Sequence, residues 1–228
     1  MDNVAVYLEI GMKRTFAGAI EWPGWCRSGR DEATALQALI DYGPRYARAI
    51  RSTRLDFEPP IALNALTVVE KLPGTFDTNF GVPAAAPAAD AQAVTFDQLR
   101  RLIALLRASW RAFDEVAEAA ASQELRKGPR GGGRDLDQLR DHVRMAEAGY
   151  LRRLGAKLEL PPGLDLALAL RESRKAILRA VEHAAEGQAP ILGPRGGVHW
   201  TARYFVRRAA WHILDHAWEI EDRVETSA

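Results

Sequence analysis

Residues 211–216 read Trp-His-Ile-Leu-Asp-His. A helix through them brings His212 and His216, four residues apart, onto one face where both imidazoles can reach a single ion. Imidazole suits zinc, nickel, iron or copper, so the chemistry on offer is that of a divalent metal whose identity the ligand type leaves open. Two ligands do not make a site, and a third candidate is His142, in the stretch LRDHVRMAEAGYL. Three histidines would leave a coordination position open, as catalytic metal sites do and closed structural sites do not. An ion held in that way could acidify a bound water, or bind a thiol as its thiolate for attack on an electrophile. Asp215, Glu219, Arg208 and Arg223 fall near the same face as outer partners or substrate-charge groups. Arg207 and Arg208 are candidates for holding a carboxylate of a substrate or thiol cofactor, with a solvated surface pair as the alternative.

On an ideal wheel of about 100° per residue, His212 and His216 lie about 60° to 100° from the centre of the apolar stripe of their helix, and His142 about 80° from the centre of its own. All three are therefore shoulder residues, suited to a cleft bordered by two helices, with Gly149 on a similar face to His142 keeping that cleft roomy. An exposed edge pair has the same spacing, so spacing alone leaves both readings open. If the two helices run parallel from one level, His142 is displaced from the pair by roughly 9 Å, which stagger or tilt must absorb.

The elements that carry these residues form a run of helices. Thr95 caps one that begins FDQLRRLIALL, Asp135 caps LDQLRDHVRMAEAGYLRRLG, LDLALALRESRKAILRAVEHAAEG makes a third, and Thr201 caps ARYFVRRAAWHILDHAWEIEDRVE. Four such helices predict a four-helix bundle over 94–228. Ahead of them, residues 4–10 and 14–22 read as a β-hairpin turned at Gly-Met-Lys. WPGWCRSG reads as a loop, the acids at Asp31 and Glu32 start a helix that Gly43-Pro44 should kink or interrupt, and Ala65–Lys71 reads as a third strand. The expected class is α+β: a β-β-α-β domain over 1–72, a linker over 73–93 whose Pro, Gly, Ala and Asp show no periodicity, then the bundle. GPRGG occurs at 128–132 and again at 193–197, read as two flexible turns.

Two resemblances add to this reading. The order and spacing of Leu139, His142, Glu147, Tyr150, Leu151 and Leu154, followed by His212 and His216 in RRAAWHILDHAWEIEDR, resembles the DinB/YfiT-like superfamily of metal-binding bundles over about residues 94–225. That likeness implies a four-helix bundle binding one divalent metal, zinc or nickel, through His142, His212 and His216. For some members it implies transferase or isomerase activity with a low-molecular-weight thiol of the mycothiol or bacillithiol type. More weakly, the two strands followed by Glu21-Trp-Pro-Gly-Trp-Cys26 and Ser28-Gly-Arg-Asp-Glu-Ala33 resemble the HicB-like antitoxin fold. This second likeness implies a module that contacts a protein partner, and supports an alternative reading in which the chain is a non-catalytic regulator. The helical bundle stands where such proteins carry a DNA-binding segment.

Composition narrows the field. With Lys+Arg 31 against Asp+Glu 30 there is no basic excess to capture nucleic acid, and no nucleic-acid partner is expected. No apolar run reaches the roughly 20 residues of a spanning helix and the N-terminus carries an acid where a signal peptide is basic, so a cytoplasmic protein without a membrane partner is expected. No P-loop, GxGxxG, GxSxG or HExxH is present. Cys26, the single cysteine, reads as a structural thiol with a reactive one as the alternative. His183 reads as a helix C-terminal cap, His199 and Trp200 as loop residues that could line a pocket mouth, and Trp110, Trp211 and Trp218 as packing or interface residues. A small-molecule substrate or thiol is the expected partner. Tryptophans exposed on the helices and a sheet with free edges would favour a homodimer.

Overall fold

The computed structural model describes residues 3–127, 133–187, 192–193 and 197–224. The first GPRGG lies wholly outside the described residues, and so do the three central residues of the second.

The chain is α+β, with an N-terminal mixed sheet followed by helices. Strands β1 (Val4–Ile10) and β2 (Thr15–Ala19) form the expected antiparallel hairpin, and β4 (Leu66–Pro73) pairs with β1 in parallel. The segment read as a loop contributes a further strand, β3 (Cys26–Gly29), antiparallel to β2, so the sheet order is β3-β2-β1-β4. Four residues with one glycine carry too little periodicity to announce a strand; pairing to β2 makes it one. Helix α1 (Glu32–Ile50) starts at Asp31, whose carboxylate accepts from the Thr34 amide at 2.8 Å in a capping box. It runs through Pro44, so the interruption expected there as one of two outcomes does not occur. Tyr46 and Ile50, both beyond the proline, are buried, and the Tyr46 hydroxyl donates to the Pro23 carbonyl at 2.9 Å. Tertiary packing thus outweighs the one lost hydrogen bond.

Alternation along the hairpin gives the sheet two dry faces. Val6 and Leu8, with Ala17 and Ala19 opposite, pack against α1, while Tyr7 and Glu9 point the other way. On that second face the Tyr7 ring crosses position 18, where a Cβ would come within 2.5 Å of it, so only glycine fits.

The 73–93 segment is a structured strap. It contains the short helix α2 (Phe76–Asn79) and a 3-10 turn at Ala88–Ala91, and buried carboxylates hold it at both ends. Glu9 of β1 accepts from the Thr78 hydroxyl and from the amides of Ala84 and Ala85, each at 3.0 Å. Asp90, on the strap, pairs with Arg207 at 2.7 and 2.8 Å.

Helices α3 (Phe96–Ala119), α4 (Leu136–Arg153), α5 (Leu166–Ala185) and α6 (Ala202–Arg223) are the four expected, capped by Thr95, Asp135, Asp165 and Thr201. Their shared core includes Leu106, Phe113, Leu139, Val143, Ile177, Phe205 and Ile213. Helix α6 is also enclosed from the other side. Leu214 and Trp218 join the cluster under the sheet and α1, and Trp211 packs edge-on to Phe16. Trp110, Trp211 and Trp218 are all buried, so they serve packing and expose no surface of their own. No helix among the described residues is long and apolar enough to cross a membrane.

Asp90→Asn leaves the Arg207 charge without its counter-charge inside the fold, and is expected to destabilise the protein by about 3–5 kcal/mol. Urea denaturation checks this against Glu159→Gln, which removes the exposed partner of Lys157 and should leave the unfolding midpoint unchanged within error.

Candidate metal centre

Three imidazoles meet between α4 and α6: His142 projects from the first half of α4, and His212 and His216 from successive turns of α6. The two helices run antiparallel. At one end the Arg223 guanidinium donates to the Arg134 carbonyl at 2.8 Å, and at the other the Trp200 amide donates to the Arg153 carbonyl at 2.7 Å. His142 stands six residues from the start of α4 and His216 seven from the end of α6, so the histidines come level. The displacement calculated for parallel helices disappears.

One potential ligand atom from each ring lies within 4.8 Å of the others. The His142 and His212 Nε2 atoms are 3.2 Å apart. Two nitrogens each about 2.0–2.1 Å from one tetrahedral ion stand about 3.3 Å from each other, so this separation suits a shared ion. His216 places its Nδ1 2.8 Å from Glu219 Oε2, which leaves Nε2 as the nitrogen free to bind. Glu219 is in turn held by Arg223 at 2.7 Å. Its contact with His216, and then with Arg223, keeps its carboxyl below the usual carboxylate range. An ionised carboxylate accepting from Nδ1–H sets the tautomer and orients the ring.

Burial and the neighbouring His216 lower the basicity of His142, and the same two causes, with Arg208, place that of His212 well below the ordinary histidine value. Both are neutral at pH 7, with nitrogen lone pairs to offer. His212 is buried and its Nδ1 has no hydrogen-bond partner among the described residues. His142 is half-buried and keeps one side of the cluster toward solvent. The edge of the Tyr150 ring lies against His212, with centroids 5.7 Å apart. Two cavities, of about 640 and 750 Å³, are lined by other residues.

The remaining sequence candidates separate clearly. Asp215 turns from the histidines to pair with Arg27 of β3 at 2.8 Å. Arg207 is fully engaged, by Asp90 and by the carbonyls of Ala19 and Ile20 at 2.7 and 2.9 Å. Arg208 is buried between aromatic rings and has no ion pair among the described residues. Neither arginine is the solvated surface residue of the alternative reading. Cys26 is buried, its thiol pushed up to about 12 chiefly by burial, in keeping with a structural role. His183 lies in the last turn of α5, while His199 is half-buried beside Gly155 and Gly193, apart from the three histidines.

Glu147 was visible only as part of a pattern. It is a buried acid on α4 that accepts from the Trp110 indole, while its Oε2 has no partner among the described residues. Burial pushes its carboxyl up to about 7. A glutamate within a helical sequence gives no sign of such burial, which depends on α3 bringing Trp110 across.

Compared with known proteins, the chain matches no family model, no curated protein and no solved structure.

Two outcomes follow from this geometry. Glu219→Gln should weaken metal binding by about 10- to 100-fold in competition with a chromophoric chelator, whereas Asp215→Asn should leave it unchanged. For Glu147 the folded state holds its proton more tightly than the unfolded chain does. Its stabilising effect is thus full below the unfolded value of 4.5 and is lost as pH rises through about 7. Urea denaturation at pH 5 and pH 8 should show a fall in the wild type, relative to Glu147→Gln, on the order of 3 kcal/mol.

Proposed function

We propose that this chain is a DinB-like metalloprotein that holds one divalent ion, zinc or nickel, through His142, His212 and His216. In this reading it acts in the cytoplasm on a small molecule, by thiol-dependent transfer or isomerisation or by metal-assisted hydrolysis. The observation that carries the proposal is the convergence of three imidazoles from two antiparallel helices, with two Nε2 atoms at 3.2 Å and the third ring oriented by a carboxylate. A bound ion would supply Lewis acidity at a site where three protein ligands leave a position for water or a thiolate. The residues around it divide the remaining work. Glu219, braced by Arg223, holds His216 in the binding tautomer. Burial keeps His212 neutral, and Tyr150 packs against its ring and restricts it. His142, on the solvent side, borders the path by which a small molecule would enter.

Elemental mass spectrometry on untagged protein tests this directly. About one equivalent of metal is expected per wild-type chain, with loss in each of His142→Ala, His212→Ala and His216→Ala. Wild-type protein produced with metal supplied that still carries none would exclude the metal reading, and would turn attention to a protein partner for the sheet domain.

A further inference from the structure

Arg207 and Arg208 are neighbours in sequence and opposites in environment. Every feature that makes a buried arginine tolerable surrounds the first: a bidentate carboxylate and two carbonyls. Arg208 has none of these. It is 8% exposed, its Nη1 is buried without a hydrogen-bond partner, and no carboxylate lies within ion-pair distance among the described residues. Its companions are aromatic. The guanidinium carbon lies 4.6 Å from the Trp211 ring centroid and 5.2 Å from that of Tyr150. Aromatic faces hold the guanidinium plane in place, yet they leave the buried Nη1 without a hydrogen-bond acceptor among the described residues. A buried charge with no counter-charge among the described residues is a group suited to receive one from outside.

Its position says what that visitor is. Arg208 precedes His212 by four residues on α6, one helical turn or about 6 Å of rise. Tyr150 touches both, its ring 5.2 Å from the Arg208 guanidinium and 5.7 Å from the His212 ring. Across the cleft on α4, a Cβ built on Gly149 would meet nothing within 4 Å, so there is open space beside this face. A single unpaired guanidinium matches a single negative charge, and its planar fork matches a carboxylate.

We propose that Arg208 is the anion-binding residue of the metal centre and selects a small molecule bearing a carboxylate about one helical turn from its metal-binding atom. The assignment rests on the three-histidine reading above. Arg207, by contrast, is a structural residue.

The test uses full-length untagged protein loaded with cobalt(II), whose visible absorption reports ligand binding. It is titrated separately with 3-mercaptopropionate and with its neutral analogue 3-mercaptopropanamide. Wild type should bind the acid roughly tenfold or more tightly than the amide. In Arg208→Gln, and in the apolar Arg208→Met, the preference should fall to near unity while cobalt stoichiometry stays at the wild-type value. Two substitutions are made so that a folding failure of one leaves the other to decide. Equal affinities in wild type, or a preference that persists in either folded variant, would overturn the assignment and leave the metal site standing. Failure of the wild type to take up cobalt at all would overturn the metal reading, and this assignment with it.

Discussion

A guanidinium in a dry interior must have its charge answered and its donors filled, and at Arg207 both conditions are met by groups from two other parts of the chain. Asp90 comes from the strap, the carbonyls of Ala19 and Ile20 come from the end of β2, and the side chain itself belongs to α6. Each bond is directional, so together they set both the axial position and the rotation of α6 beneath the sheet. Glu9 provides a second such point by gathering strap amides onto β1. The segment between sheet and bundle is therefore a fastening.

The rotation of α6 decides what its remaining faces can do. Phe205, Ala209, Ile213, Ala217 and Ile220 turn into the bundle, and Leu214 and Trp218 turn to the sheet side. The stripe that remains carries Arg208, His212, His216 and Glu219, facing α4. Antiparallel packing then brings His142 level with the pair, and Tyr150 against His212 and Arg208. Along this stripe the polar groups run from fully satisfied to unsatisfied. Glu219 is held on both oxygens, His216 on one nitrogen, and the His212 Nδ1 and Arg208 Nη1 atoms have no partner among the described residues. Glu147 Oε2 on α4 and Arg174 Nε on α5 are the other two buried side-chain atoms without a partner among the described residues.

Local pattern was sufficient for much of the fold. The hairpin, β4 and the four long helices follow from periodicity, and Thr95, Asp135 and Thr201 cap where their side-chain chemistry requires. What failed was local reasoning about positions decided at a distance. Strand β3 exists because β2 offers it an edge, and Pro44 stays within a helix because Tyr46 and Ile50 are buried beyond it. The strap looked like a linker because its anchors, Glu9 and Arg207, lie far away in sequence. The helical wheel, which assumes one buried face, placed the histidines of α6 on a shoulder, where they do meet His142 of α4, but allowed its arginines to be solvated. Helix α6 is covered from two sides, a condition no single amphipathic pattern can express.

By itself, then, the sequence determined the candidate ligands: three imidazoles with two at i and i+4, and a carboxylate one turn from His216, because side-chain chemistry and helical spacing are local properties. Tertiary structure decided the rest. It set α4 antiparallel to α6, which brings His142 to the pair, and it gave the two arginines opposite surroundings, answering the charge of Arg207 with Asp90 and leaving Arg208 without an ion pair among the described residues. Adjacent residues on a helix point about 100° apart, and only the packed surroundings determine what each one meets.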